Sequence, residues 1–350
     1  MMIRHRAFSA AFRTMVATGA DRWGRRFAQG VGVILTLHRV RPAQGDRFQP
    51  NGILEITPEF LETTLRLIRA EGYQIVSLDE ALVRLVSARP GPFFVALTFD
   101  DGYRDNVDIA WPILARHSAP WTMYVVPGFA DRSARLWWIE LEEAIRALPR
   151  LSLDLPDGPF AAVCDTDAAK RRAFDQLYWR LRKQPEAILR AAVSQLAEQA
   201  GIDPVALLER ECLPWETLRA LAGAPDVTIG AHTMTHPMLA KHPEEVVRHE
   251  LAESKAQLER ELDCPVRHFA YPVGDPSSAG PRDFALAREA GFASAVTQRP
   301  GHIFDVHKDH LQALPRVSLN GLHHTETALR AMLSGLPFLL WNRGRRLNVD

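Results

Sequence analysis

Short apolar runs alternate with helical patterns along most of this chain, and that alternation limits its fold more than any other feature. The runs are "VGVILTLHRV" (31–40), "QIVSL" (74–78), "PFFVALTF" (92–99), "APWTMYVVP" (119–127), "DVTIGAH" (226–232), "VRHFAYPVG" (266–274) and "FASAVT" (292–297). Amphipathic segments separate them. One starts at Thr57, a capping residue followed by Pro58 at the first helical position, with Phe60, Leu61, Leu65 and Ile68 at helical spacing. Strands that read as continuous apolar runs are covered on both faces, so the pattern predicts an α/β fold with a largely parallel sheet, often closed into a barrel.

Residues 131–215 break the rhythm. This stretch is rich in Leu, Ala, Arg and Glu, from "LWWIELEEAIRAL" to "LRAAVSQLAEQAG", and reads as a helical insertion over one end of the sheet. The expected organisation is an N-terminal helical segment (1–30), a barrel (31–322) carrying the insertion, and a C-terminal helical tail (323–350).

Lys plus Arg number 42 and Asp plus Glu number 42, so no global charge favours nucleic acid. The three cysteines, Cys164, Cys212 and Cys264, form no CxxC pair and suit a reducing compartment, and no stretch of about 18 apolar residues occurs. A cytoplasmic chain without a transmembrane segment is the expectation. In the first helix Phe8, Phe12, Met15 and Val16 lie among arginines. Such a helix packs on its own domain or makes peripheral membrane contact.

The chemistry concentrates at strand ends. "ALTFDDGYRDN" (96–106) sets Asp100 and Asp101 side by side after an apolar run, at the edge where parallel α/β folds bind ligands. Alone, Asp-Asp-Gly is ordinary turn chemistry. "GAHTMTHPML" places His232 and His236 four apart, just after another strand. If the chain coils there, both imidazoles converge on one ion. With one aspartate they make a His, His, Asp metal site with positions left open, and the other aspartate remains free as a base.

"TFDDGY" (98–103), "HTMTH" (232–236) and, more loosely, "FAYPVG" (269–274) resemble the motifs of the polysaccharide deacetylases with a NodB-homology domain, over about residues 31–320. The resemblance implies a distorted (β/α)7 barrel and a divalent metal, with zinc the usual ion. It also implies hydrolysis of N-acetyl groups on amino sugars, through metal-activated water. By that resemblance Asp100 is the general base, and Asp101, His232 and His236 are the metal ligands. The backbone N–H of Tyr103 would hold the oxyanion, and Tyr271, Pro272 and Gly274 would shape the groove. The substrate would be an N-acetylated oligosaccharide, lipid-linked or exopolysaccharide-precursor saccharide, as for the chitooligosaccharide or poly-N-acetylglucosamine deacetylases.

Two departures stand out. Many members carry a base-orienting arginine in the third motif where this chain has Ala270; Arg299 and Arg316 are the candidates to replace it. The general acid is commonly a histidine on a late strand, yet "LPRVSLNG" has none, and His323 and His324 lie beyond it. His38 ends "VILTLH" near the N-terminus, which resembles a permuted arrangement; in a closed barrel, first and last strands are neighbours. Thr233 and Thr235 read as loop hydrogen-bonders, and Trp137 and Trp138 as core with sugar stacking the alternative. His242, His249, His268, His302, His307, His310, His323 and His324 read as surface residues. A carbohydrate-binding pseudoenzyme and a phosphoryl-transfer enzyme are the rival readings; the second lacks phosphate-gripping elements.

Overall fold

The computed structural model describes residues 2–87 and 91–349. Seven parallel strands form a closed barrel: β1 (Gly32–Leu37), β2 (Phe94–Phe99), β3 (Trp121–Val125), β4 (Val227–Ala231), β5 (His268–Ala270), β6 (Ser294–Pro300) and β7 (Leu314–Ser318). The ring runs β1-β7-β6-β5-β4-β3-β2 and closes on β1. The first and last strands are therefore neighbours, as the permuted reading requires. The barrel is uneven. β1 and β2 stay in register from Gly32↔Phe94 to Leu37↔Phe99, whereas β1 meets β7 only at Leu35↔Val317 and Thr36↔Ser318. The β6–β7 register shifts between Val296 and Pro300. Gln74–Val76 adds a short strand beside the first half of β2.

Side-chain alternation sorts the strands' residues into two layers. Val33, Leu35 and Leu37 pack outward with Leu61, Leu65 and Ile68 of helix Pro58–Ala70. That helix starts as its sequence predicts, with Thr57 Oγ1 accepting from Phe60 N. Ile34, Ala96, Tyr124, Ala270, Val296 and Leu314 fill the interior, and Leu78, Ala81, Leu82 and Leu85 of helix Leu78–Val86 plug the end where the strands begin. The opposite end of the interior is polar, with Thr36, Thr98 and Arg316 all buried. Gly230 makes room for the Tyr124 ring, because a Cβ there would come within 2.5 Å of it.

Segment 131–215 is only partly helical. It holds helices Trp137–Ala147, Asp167–Lys183, Glu186–Gln199 and Pro204–Glu211, and also an antiparallel hairpin, Arg150–Leu155 with Gly158–Val163. The hairpin corrects the all-helical expectation. Its signal is present in "RLSLDL", where Leu151, Leu153 and Leu155 alternate with polar residues and are buried. The insertion has its own apolar core, with Leu141, Phe174, Leu177, Leu189 and Val193 among its members.

The first helix, Met2–Ala17, uses its apolar residues on its own domain. Phe12 is buried with its ring 5.1 Å from His323, Met15 and Val16 pack against the main core, and Phe8 lies 5.5 Å from Trp341. Those four residues pack on the chain's own core and C-terminal segment. His268, His302 and His307 are buried, against the surface expectation. Each has found a partner: His268 Nδ1 lies 2.9 Å from Ser294 Oγ, His302 Nε2 lies 3.0 Å from Met332 O, and His307 Nδ1 lies near Phe304 O. Burial holds the last two down to about 4, so they are neutral. Among the described residues no helix is long and apolar enough to cross a membrane.

Because Tyr124 fills the space over Gly230, Gly230→Ala should cost about 1–3 kcal/mol of stability in urea unfolding. Combining it with Tyr124→Leu should give a double variant less destabilised than the sum of the singles. Additive effects would show that the two residues do not share that space.

Candidate active site

β2 delivers the acidic pair. Alternation turns Thr98 and Asp100 inward; Asp101 and Gly102 then adopt φ of 75° and 68°. Aspartate and glycine are among the residues that tolerate this left-handed conformation, and the turn swings the second carboxylate away from the first. Adjacent acids thereby reach different partners.

Asp100 meets Arg316, which rises from the interior face of β7. Nη1 donates to Asp100 Oδ1 at 2.7 Å and Nη2 to Oδ2 at 2.6 Å, while Nη1 also donates to Thr98 Oγ1 and Nε to the Thr297 carbonyl. Both charged groups are buried. Burial opposes ionisation of Asp100, but the Arg316 guanidinium outweighs it and holds the carboxyl below its usual range. Arg316 stacks over Tyr124, its Cζ 5.8 Å from the ring. Of the two candidate arginines, Arg316 reaches Asp100. Arg299 faces the other side of β6, donating to the Ala279 and Asn348 carbonyls.

Asp101 faces the histidines. Its Oδ1 lies 3.4 Å from His232 Nε2 and 3.4 Å from His236 Nε2, and the three buried donors fall within 4.8 Å of one another. Asp101 Oδ1 is buried without a hydrogen-bond partner. His232 Nδ1 is 2.6 Å from the Ala270 carbonyl. A carbonyl only accepts, so Nδ1 carries a proton there and Nε2 is the nitrogen turned toward Asp101. Burial lowers the pKa of His236 against the opposing pull of Asp101, favouring the neutral, metal-binding form. Ligand atoms around one tetrahedral zinc ion stand roughly 3.3–3.5 Å apart, as Asp101 Oδ1 does from each histidine Nε2. The donor set and its unsatisfied oxygen suit a divalent cation.

The two histidines converge on a bent loop, not the coil their spacing suggested: Thr233 and His236 take φ of 62° and 60°. Thr233 Oγ1 accepts from His236 N at 3.0 Å. Glu250, buried on helix Glu244–Leu262, accepts from Met234 N, Thr235 N and Thr235 Oγ1. From the insertion, Arg190 donates to the Thr235 and His236 carbonyls at 3.1 and 3.2 Å. Glu186 binds Arg190 and accepts from Met238 N. Trp138 lies 4.7 Å from the His236 ring. Arg190, Glu186 and Glu250 carry no sequence signal of this role, since each resembles a solvated helix residue.

His38 stands across from the cluster, Nε2 3.9 Å from Asp100 Oδ2. Its carbonyl accepts from Asn106 Nδ2 at 2.8 Å. Arg39 next to it is buried between Asp105 and Glu211, with its Cζ 4.4 Å from the Tyr103 ring. Tyr103 is buried, its hydroxyl accepting from Trp138 Nε1 at 3.0 Å. His323 and His324 lie outside the cleft, against Phe12 and Phe60.

A cleft of about 300 Å³ opens over these groups, lined by His38, Asp100, Asp101, His232, His236 and Gln298 below and by the insertion's aromatic residues above. Trp137, Trp138, Phe174, Tyr178 and Trp179 form that wall, so the tryptophan pair is both core and lining. Within the third motif Val273 faces the cleft. Tyr271 instead bonds the Gln312 carbonyl in the outer core, and Pro272 and Gly274 act through backbone: the Gly274 carbonyl accepts from Gln298 N at 2.9 Å. Gln298 in turn donates to Asp100 Oδ2 at 3.3 Å.

The family model for polysaccharide deacetylase matches residues 87–294. YxkH of Bacillus subtilis (strain 168), named for a polysaccharide deacetylase, is 30% identical over 74 residues, 21% of this chain. The match spans only 26% of that relative's length. Among solved structures, the Streptococcus pyogenes deacetylase PplD in complex with acetate superimposes with a TM-score of 0.58 at 18% identity, covering 86% of this chain and 97% of its own. IcaB from Ammonifex degensii gives 0.53 at 19% identity over 86% and 97%. At these identities the structural likeness concerns the fold.

If the Arg190 clamp holds the histidine loop in its binding geometry, Arg190→Met should weaken zinc affinity by about 10–100-fold. Titration against a competing chromophoric chelator measures it, and unchanged affinity would remove the insertion from the site's support.

Proposed function

The chain belongs to the polysaccharide deacetylase family, and from that premise we propose that it hydrolyses N-acetyl groups on the amino sugars of a saccharide, using a divalent metal. One observation carries the reading. A buried Asp101, His232, His236 cluster sits beside an ionised Asp100 at the floor of an aromatic-walled cleft. Aromatic walls suit sugar rings, whose apolar faces stack on them. A mere sugar-binding groove would not need a buried carboxylate kept ionised next to a cation site.

Asp101, His232 and His236 would hold the ion, zinc being the favoured identity for an N, N, O set. Bound there, a divalent ion supplies Lewis acidity to the acetamide carbonyl and makes water easier to deprotonate. Asp100 takes the proton from the attacking water at Oδ2, the oxygen flanked by Gln298 and His38. Arg316 fixes the carboxylate's orientation and keeps it ionised. The water oxygen bonds to the carbonyl carbon, and the Tyr103 backbone N–H stabilises the negative oxygen that develops. His38, protonated, gives a proton to the nitrogen as the carbon–nitrogen bond breaks, releasing acetate and the free amine. Trp138 and Val273 restrict bulk water.

Acetate release from a panel of N-acetylated saccharides, with and without chelator, tests the reading and narrows the sugar. Activity should vanish with chelator and return with zinc. Asp100→Asn should keep its metal by elemental analysis while turnover falls about a hundredfold or more. Loss of metal in Asp100→Asn with retention in Asp101→Asn would exchange the two roles.

The pH profile separates the remaining groups. A base whose pKa is lowered stays active down to low pH and is lost only as pH falls through that lowered value. Arg316→Gln removes the main group opposing burial, so the acid limb should move to higher pH. His38→Ala should lower turnover and flatten the basic limb, since a protonated imidazole is no longer required. An acid limb unmoved by Arg316→Gln, or a basic limb that persists without His38, would contradict the respective assignment.

A further inference from the structure

Helix Ala20–Ala28 and helix Leu336–Trp341 lie side by side at the end of the barrel where the strands begin. Leu336 covers Gly24, where a Cβ would come within 2.9 Å of it, and Arg346 Nη2 donates to the Phe27 carbonyl at 3.2 Å. Three residues after helix Ala20–Ala28, Val31 N donates to the Ile303 carbonyl and the chain enters β1. The cleft lies where the strands finish, so the length of β1 alone, about 20 Å, separates the two faces.

This pair of helices is unusually apolar on its outside. Trp23 is 61% exposed, Phe27 65%, Leu340 66% and Trp341 50%. Trp23 and Phe27 are one turn apart on helix Ala20–Ala28, and Arg22 and Arg26, also exposed, repeat the spacing beside them. Arg343, Arg345 and Arg346 follow the second helix and are exposed too. The described acids of segments 20–30 and 334–349 reduce to Asp21, which is buried. In a chain with 42 cationic and 42 anionic residues this is a local excess of positive charge around clustered aromatic and aliphatic groups. Exposed apolar side chains scattered singly are ordinary; a cluster with arginines repeated along its edge is not.

We propose that this face docks on an anionic lipid bilayer. Trp23, Phe27 and Leu340 enter the headgroup region, and Arg22, Arg26, Arg343 and Arg346 lie against lipid phosphates with their stems on the apolar surface. A second copy of the chain is a poorer occupant, because a two-fold pairing sets arginines against arginines. A bilayer supplies both the negative charge and an interface that accepts tryptophan. Docked this way, the cleft opens toward water, away from the lipid.

The full chain should sediment with vesicles of two parts phosphatidylcholine to one part phosphatidylglycerol, stay in solution with phosphatidylcholine alone, and be released by added salt. Arg22→Gln with Arg26→Gln should weaken the partition about 30-fold, at roughly 1 kcal/mol per arginine. Trp23→Ser with Phe27→Ser should weaken it at least as much. Acetate release in solution should be unchanged in both pairs. Failure of the wild-type chain to sediment with the anionic vesicles, or equal sedimentation of either double variant, would overturn the proposal. So would self-association in sedimentation velocity that Trp23→Ser with Phe27→Ser abolishes, which would assign the face to a second copy.

Discussion

Arg316 and Asp100 form a buried, two-pronged ion pair in the barrel interior, and the site is arranged around it. β7 and β2 both flank β1, so the pair ties two strands across a third. That tie lies where the β1–β7 ladder is short and backbone pairing gives little support. Breaking a buried ion pair by removing one partner costs about 3–5 kcal/mol, so loss of either charge destabilises the chain. The interior allows the pair because Gly230, Ala96 and Ala270 are small, leaving room for Tyr124 and for the guanidinium beside its ring. The alanine in the third motif and the arginine on β7 are thus two parts of one packing solution.

The ion pair also accounts for two adjacent acids at one strand end. Arg316 neutralises Asp100, and the left-handed turn at Asp101 and Gly102 sends the second carboxylate to the histidines. Asp101 Oδ1 is left buried without a hydrogen bond, an arrangement a cation would complete. Two acids three bonds further apart in the chain would not need such a turn. Here the strain of a non-glycine residue at positive φ separates the carboxylates' partners within a single step of the chain.

The insertion is structurally part of the site. Arg190 and Glu186 grip the loop between the histidines from one side, while Glu250 on a barrel helix grips it from the other. Trp138 packs on His236 and bonds Tyr103 in the loop after β2. The same segment that walls the cleft therefore orients groups on its floor. Arg39, buried between Asp105 and Glu211, joins the loop after β1 to the end of the insertion in the same way.

The sequence by itself determined what depends on neighbours along the chain. Strand and helix alternation, the cap at Thr57, the strand-end position of Asp100, and the histidine spacing are local patterns, and the barrel keeps them. The hairpin in the insertion was equally local, but its period-two signal sits in "RLSLDL" between strong helical patterns. Only the tertiary structure decided between Arg299 and Arg316. Both lie on late strands, and which one faces inward depends on register. On β6 the inward residue is Gln298, so Arg299 turns out; β6 slips against β7 between Val296 and Pro300, and Arg316 turns in with Leu314 and Ser318. The placement of His38 is tertiary in the same way: closure of the barrel, not distance along the chain, brings the first strand beside the last and sets His38 3.9 Å from Asp100, while His323 and His324 pack against Phe12 and Phe60. A one-residue change of register reverses a side chain's direction, and register is fixed by contacts between segments far apart in the chain.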